Sequence, residues 1–232
     1  MTISVLQEKQ ISPGGAFASS LALAFTSSIT AGSAIHAIFQ YNGAVQTVNF
    51  SDNNGNTWPA GTLDNFNDPG NSSTCHQVLN NANAGATTIT ATITGSSTNF
   101  LCLWIKEIGG AATTGSPDGH NGVNSTSTTS QNISATNTSQ PALISVLVSN
   151  DSTQEVPVLD ASLTASSINP GWNYGGATSS TVAGHKRITS TGLQTLTNTQ
   201  ASADSLNAVM AIFLEAGGAA VPMGPKLAFI NP

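Results

Sequence analysis

Residues 87 to 94 read Thr-Thr-Ile-Thr-Ala-Thr-Ile-Thr, and no other stretch limits the fold so firmly. Small apolar side chains alternate with hydroxyls, so one face of an extended segment packs while the other meets water. Thr and Ile are also β-branched, which suits a pleated surface better than a helix. Similar short runs, bounded by Gly, Asn, Asp and Pro, recur along the chain. They predict strands at 3–10, 15–25, 33–41, 45–50, 76–80, 87–94, 100–108, 142–149, 156–164, 181–188, 194–199 and 208–215. In Phe100-Leu101-Cys102-Leu103-Trp104-Ile105 nearly every position is apolar, so this strand is expected to be covered on both faces. No long amphipathic helix is present; 19–25 and 200–207 could each supply a helical turn or two.

Punctuation is equally explicit. Ser51-Asp52-Asn53-Asn54-Gly55-Asn56 predicts a tight reversal, because Asn and Gly tolerate positive φ. The segment 111–140 is poor in apolar residues and is expected to form a long polar loop. The last segment, 217–232, carries Pro222, Pro225 and Pro232 and cannot be a central strand. It is expected to be an extended arm whose apolar residues Leu227, Phe229 and Ile230 seek a partner surface.

Composition removes whole classes of function. The 232 residues hold 5 Lys+Arg and 11 Asp+Glu, and charged residues are 7% of the chain, against about 25% in ordinary soluble domains. Five cations cannot neutralise a run of phosphates, so no nucleic-acid partner is expected. Coiled coils and bundles need many more Glu, Lys and Arg. With 39% hydrophobic residues and a net charge of −6, the chain is not disordered in the charged sense. The start, MTISVLQEKQISPGG, lacks the basic and apolar regions of a secretory signal, and 16–29 is too short and polar to span a bilayer. The expectation is a protein made in a host cytoplasm, without membrane insertion. Its surface, rich in Ser, Thr and Asn, suits a particle released by lysis. Two cysteines, Cys75 and Cys102, are too few for a disulfide framework, and burial as free thiols is the favoured reading over a bridge.

The order of motifs resembles a family. VQTVNFSDNNGNTW (45–58) is followed by CHQVLNN (75–81) and by AGATTITATITGSSTNFLCLWIKEIGG (84–110). PALISVLVSND comes later, and TGLQTLTNTQASADSLNAVMAIFLEA closes the run at 216. This is similar to the jelly-roll, lectin-like β-sandwich module of bacteriophage virion proteins and bacterial surface proteins. The likeness covers roughly 30–216 and rests on turn glycines and core strands, so it implies a fold and marks no catalytic residue. The N-terminal extension, the 111–140 segment and the apolar C-terminal arm depart from it.

Candidate chemistry is sparse. His36, His76, His120 and His185 are scattered, and no metalloprotease, nucleophile-elbow or phosphate-loop motif occurs. His36 lies in an apolar run and is expected to be a satisfied strand residue. Cys75 and His76 are adjacent, and adjacent strand residues point to opposite faces, which disfavours a metal or nucleophile–base pair. Among the carboxylates, nothing singles out the pair a glycosidase needs. Asp52-Asn53-Asn54-Gly55-Asn56 resembles the start of a calcium loop but lacks the downstream Glu, and a β-turn explains it. No catalytic residue, metal or cofactor is therefore expected. Glycan contact would fall to Trp172, Tyr174 and Trp58, of which Gly171-Trp172-Asn173-Tyr174-Gly175-Gly176 is the best local candidate; core or interface packing is the alternative for these aromatics.

The sequence thus predicts an all-β protein: a two-sheet antiparallel, jelly-roll-like β-sandwich with extended N- and C-terminal arms. Residues 1–29 would form an N-terminal arm and first strand, 30–216 the sandwich, and 217–232 the C-terminal arm. The expected function is that of a non-enzymatic structural protein on a bacteriophage virion surface, a decoration, cement or fibre component. It would be held through its terminal arms to copies of itself and other virion proteins. A carbohydrate-binding module recognising host surface glycans is the alternative.

Overall fold

The computed structural model describes residues 2–13, 17–67, 72–95, 98, 101–150, 156–166, 171–174 and 177–217; at Asn67, 171–174 and 177–180 the backbone alone is described. Among them no helix occurs. Fourteen strands are formed: β1 (Ser4–Ile11), β2 (Ser20–Ala24), β3 (Ala34–Asn42), β4 (Thr47–Asp52), β5 (Asp64–Asn67), β6 (Ser72–Leu79), β7 (Thr88–Thr94) and β8 (Cys102–Gly109). They continue with β9 (Gly119–Asn137), β10 (Ala142–Asn150), β11 (Thr164–Ala165), β12 (Gly171–Tyr174), β13 (Ala177–Ile188) and β14 (Gly192–Leu214).

These strands build three antiparallel sheets packed face to face. The small sheet has the order β2-β7-β4 and the middle sheet β1-β8-β3-β6-β5. The large sheet runs β11-β13-β10-β14-β9, with β12 also paired to β13. Period-2 alternation sorts the side chains between layers. On β3, Ile35, Ala37, Phe39 and Tyr41 meet Val48, Phe50, Ile89, Ala91 and Ile93 of the small sheet. Ala34 and Ile38 point the other way, to Leu143, Leu147, Val209 and Phe213 of the large sheet. Being covered on both sides, β3, β6 and β8 are buried along nearly their whole length. This is the environment expected for the apolar run before Ile105. Each Ile or Leu so enclosed contributes roughly 1.5–3 kcal/mol.

The large sheet has a second core on its far side. Ala142, Ile144, Val146 and Val148 of β10 pack there with Ala208, Met210 and Ile212 of β14. Ile133, Ala135 and Leu196 cover them. The cover is the far half of the β9–β14 ribbon, which is folded over. Its register shifts between Thr199 and Leu206, opposite Ser127 at φ +52°. The fold brings β9 back on itself, with the Asn121 side-chain amide donating to the Ser134 carbonyl at 2.8 Å. Only glycine fits at the crossing: a Cβ on Gly119 would lie 2.3 Å from the Thr136 carbonyl oxygen.

Several expectations are corrected. The 111–140 segment is not a long loop, since β9 occupies most of it. Its hydroxyls alternate with a few inward residues such as Ile133 and Ala135, and a ribbon with one face in water needs no more. Residues 200–207 continue β14 without a helical turn. Of 156–164, only Thr164 lies in a strand, at the start of β11, and Val158 makes an isolated bridge to Thr199; Pro157 lacks a donor, and Asp160 accepts from the Ser162 backbone. The first strand is not a free arm: β1 pairs with β8, and Ile3 is buried beside Phe213. The β-sandwich holds three sheets where two were expected. Cys75 and Cys102 are buried free thiols. The predicted C-terminal arm, with Leu227, Phe229 and Ile230, lies outside the described residues.

Candidate functional site

The interface between the middle and large sheets alternates apolar and polar layers, as Ala34, His36, Ile38 and Gln40 face the large sheet in turn along β3. Gln40 on β3 donates to Ser149 at 2.7 Å and Thr74 at 3.1 Å. Lys106, fully buried on β8, donates to the Gly184 carbonyl at 3.1 Å, with Glu8 4.0 Å away. Burial lowers its pKa to about 8, against the opposing pull of Glu8.

Beside these groups runs a line of histidines. Asp64 on β5 and His76 on β6 are cross-strand partners, so their side chains share a face. His36, on the next strand, sits diagonally behind His76. His36 Nδ1 lies 2.9 Å from Ser145 Oγ on β10, and its Nε2 lies 2.9 Å from His76 Nδ1. His76 Nε2 is 2.8 Å from Asp64 Oδ2. The same oxygen receives His120 Nδ1, from β9, at 2.8 Å. Five residues from five strands thus form one file across the interface. It runs from fully buried His36 and His76 to an exposed His120.

One proton arrangement satisfies the file. Ser145 donates to His36 Nδ1, His36 Nε2–H to His76 Nδ1, and His76 Nε2–H to the carboxylate. The reverse order turns a bare His76 nitrogen towards Asp64 and requires a cation between them. Burial above all, with the electrostatic influence of neighbouring His76 and Lys106, holds the His36 pKa well below 6.5. His76 is also lowered by burial, although Asp64 opposes this. Burial would raise Asp64, yet its bonds from His76 and His120 outweigh that and hold it below 3.8. At neutral pH the cluster therefore comprises uncharged buried imidazoles and a carboxylate. Asp64, His76 and His120 each offer one ligand atom, all within 4.8 Å of one another.

Glycine shapes this place too. β5, at the edge of the middle sheet, lies against β9, at the edge of the large one, and a Cβ on Gly122 would stand 2.5 Å from Phe66 and 3.0 Å from the Asp64 Cβ.

The four histidines are scattered along the sequence, and the fold brings three of them together. No spacing motif announces them, because the residues come from strands far apart in the chain. The available signal was a histidine inside the apolar run Ile35-His36-Ala37-Ile38, since a buried imidazole must find a partner. The expectation that Cys75 and His76 face opposite ways holds: Cys75 packs towards the small sheet and His76 towards the large one.

The aromatic candidates do not share a sheet. Trp58 follows β4 of the small sheet and stacks on Phe50 at 5.8 Å, its indole N–H bonded to Asp52 Oδ2 at 2.7 Å. Asp52 also accepts from the Asn54 and Asn56 backbones at 2.8 and 3.3 Å, which makes the 51–56 reversal a carboxylate-centred turn. Trp172 and Tyr174 are on β12, beside β13 of the large sheet, and their side chains lie outside the described residues. Other acids take local donors: Asp118 from Thr138, Asp160 from Ser162 and Thr197, Glu215 from Arg187. A cavity of about 330 Å³ lies away from the histidine file and is lined by Val156, Pro157, Val158, Leu159, Ala165 and Val182. None of these residues supplies a titratable group.

Fold and site together define an all-β protein of stacked antiparallel sheets with a histidine–aspartate file at the joint of two of them. No protein-family model matches the chain, and no curated protein matches it in sequence.

Proposed function

We propose that this chain is a non-enzymatic structural protein of a bacteriophage virion, a surface decoration, cement or fibre component of jelly-roll type. The observation that carries the reading is the chemistry of the two outermost faces. The small sheet turns Thr47, Asn49, Ser51 and Thr94 to solvent, and the folded ribbon turns Asn132, Thr136, Thr195, Thr197 and Thr199 outward. Such faces are well hydrated and carry almost no charge, so they exert little long-range attraction on nucleic acid or membrane. Beneath them, three sheets cover one another, which suits a rigid body carried on a particle.

Attachment falls to the C-terminal segment, because β1 is engaged in the middle sheet. Leu227, Phe229 and Ile230 are the residues that would bury against copies of this chain or other virion proteins. The glycan-binding alternative rests on Trp172 and Tyr174, since Trp58 is already held by Phe50 and Asp52.

The test compares the full chain with a 1–217 truncation for co-sedimentation with phage particles. The truncated protein should fold with an unchanged circular dichroism spectrum and lose most of its incorporation. Stoichiometric recovery of the truncated chain on particles would refute attachment through this segment.

A further inference from the structure

We propose that Asp64, His76 and His120 bind a divalent transition-metal ion of the zinc type at the joint between the middle and large sheets. Two imidazole nitrogens and a carboxylate oxygen are a donor set that zinc accepts, with a fourth position left for water. The ligand atoms, all within 4.8 Å of one another, already sit close to coordination spacing. His76 Nε2 and His120 Nδ1 are each 2.8 Å from Asp64 Oδ2. Donors about 2.0–2.1 Å from a tetrahedral ion stand roughly 3.3 Å apart, so the two contacts to Asp64 widen by about half an ångström while the imidazole nitrogens, within 4.8 Å of each other, draw together.

The surroundings fit as well. A metal-bound histidine uses its second nitrogen to hold a fixed partner, which sets its tautomer. His76 Nδ1 has such a partner in His36 Nε2, and His36 Nδ1 in turn has Ser145 Oγ. When an ion occupies His76 Nε2, the file reverses: His76 Nδ1–H donates to His36, and His36 Nδ1–H donates to Ser145. Each imidazole stays neutral and merely exchanges which nitrogen bears hydrogen, so no proton is lost from the buried pair. His120 likewise moves its hydrogen to Nε2. Access is from solvent on the His120 side, where that side chain is 38% exposed. The ion would join β5 to β9 and so link two sheets.

The test uses the full chain, stripped with a chelator and dialysed. Titration with Zn²⁺ alone, followed by calorimetry, should show one ion per chain. Co²⁺ in its place should give visible absorption bands of a four-coordinate site. At a hundredfold excess over Kd, Zn²⁺ should raise the thermal midpoint by roughly 5–10 °C. His120→Ala, at an exposed position, should remain folded yet bind Zn²⁺ at least about tenfold more weakly. His185→Ala should bind as the parent does. Absence of saturable Zn²⁺ binding up to about 1 mM, or equal affinity in His120→Ala, would overturn the site.

Discussion

At the scale of single residues, Asp52 shows how one side chain can fix a turn. Its two oxygens accept from two backbone amides, the Asn56 amide and the Trp58 indole. Replacing it with Ala leaves these donors to water or to nothing, and Trp58 loses its anchor over Phe50. We expect Asp52→Ala to cost about 1–3 kcal/mol in urea denaturation, with calcium having no effect on the parent's stability. Lys106 and the two cysteines give a second residue-scale expectation. Lys106 is faced by Glu8 on β1, His36 on β3 and His185 on β13, and its pKa falls from 10.5 to about 8. Between pH 8 and 10.5 the folded state has lost this proton while the unfolded chain keeps it, so Lys106 by itself adds a rise in stability of about 1.4 kcal/mol per pH unit. Burial acts in the opposite sense on the thiols, raising Cys102 to about 12 and Cys75 still higher from 9.0. Above pH 9 the unfolded chain loses two protons that the folded one keeps, and the slope reverses. Denaturation midpoints measured from pH 7.5 to 10 should therefore peak near pH 9. In a Cys75→Ala, Cys102→Ala double variant the fall from 9 to 10 should disappear; its persistence would disprove the assignment to these thiols.

At the scale of elements, the folded β9–β14 ribbon is the least expected feature and the one most open to a sharp test. Gly119 allows the start of β9 to pass the Thr136 carbonyl, so Gly119→Ala forces backbone apart and should cost at least about 1–3 kcal/mol. Gly115→Ala controls for the loss of a glycine itself: its φ is +74° but a Cβ there meets nothing within 4 Å, so a smaller loss is expected. Unequal urea midpoints for the two variants are the readout. The sequence announces β7 and β8 through alternation and through a continuous apolar run, because burial on one or both faces writes those patterns directly. It conceals β9, where Ser, Thr and Asn fill 124–130 and the backbone pairing with β14 leaves no apolar signature. It equally conceals the histidine file. Asp64 and His76 become neighbours only through strand register, and His120 arrives from another sheet across the joint at Gly122.

At the scale of the whole molecule, the middle sheet is covered on both faces and the two outermost faces are lined with hydroxyls and amides, while the histidine–aspartate file lies at one joint between sheets. The low charge, which first excluded nucleic acid, also leaves strand edges without the Lys and Glu that usually deter further pairing. The small sheet has two such edges, β2 and β4, with Phe17 and Val45 exposed nearby. On the proposed virion role, neighbouring proteins on the particle would cover these edges and the apolar end of the chain. The most direct measurement is the copy number of this chain in gradient-purified virions, obtained by quantitative mass spectrometry against the shell protein. We expect a fixed, reproducible number of copies per particle. A chain that stays in the soluble fraction of the lysate and is missing from purified particles would contradict the structural role.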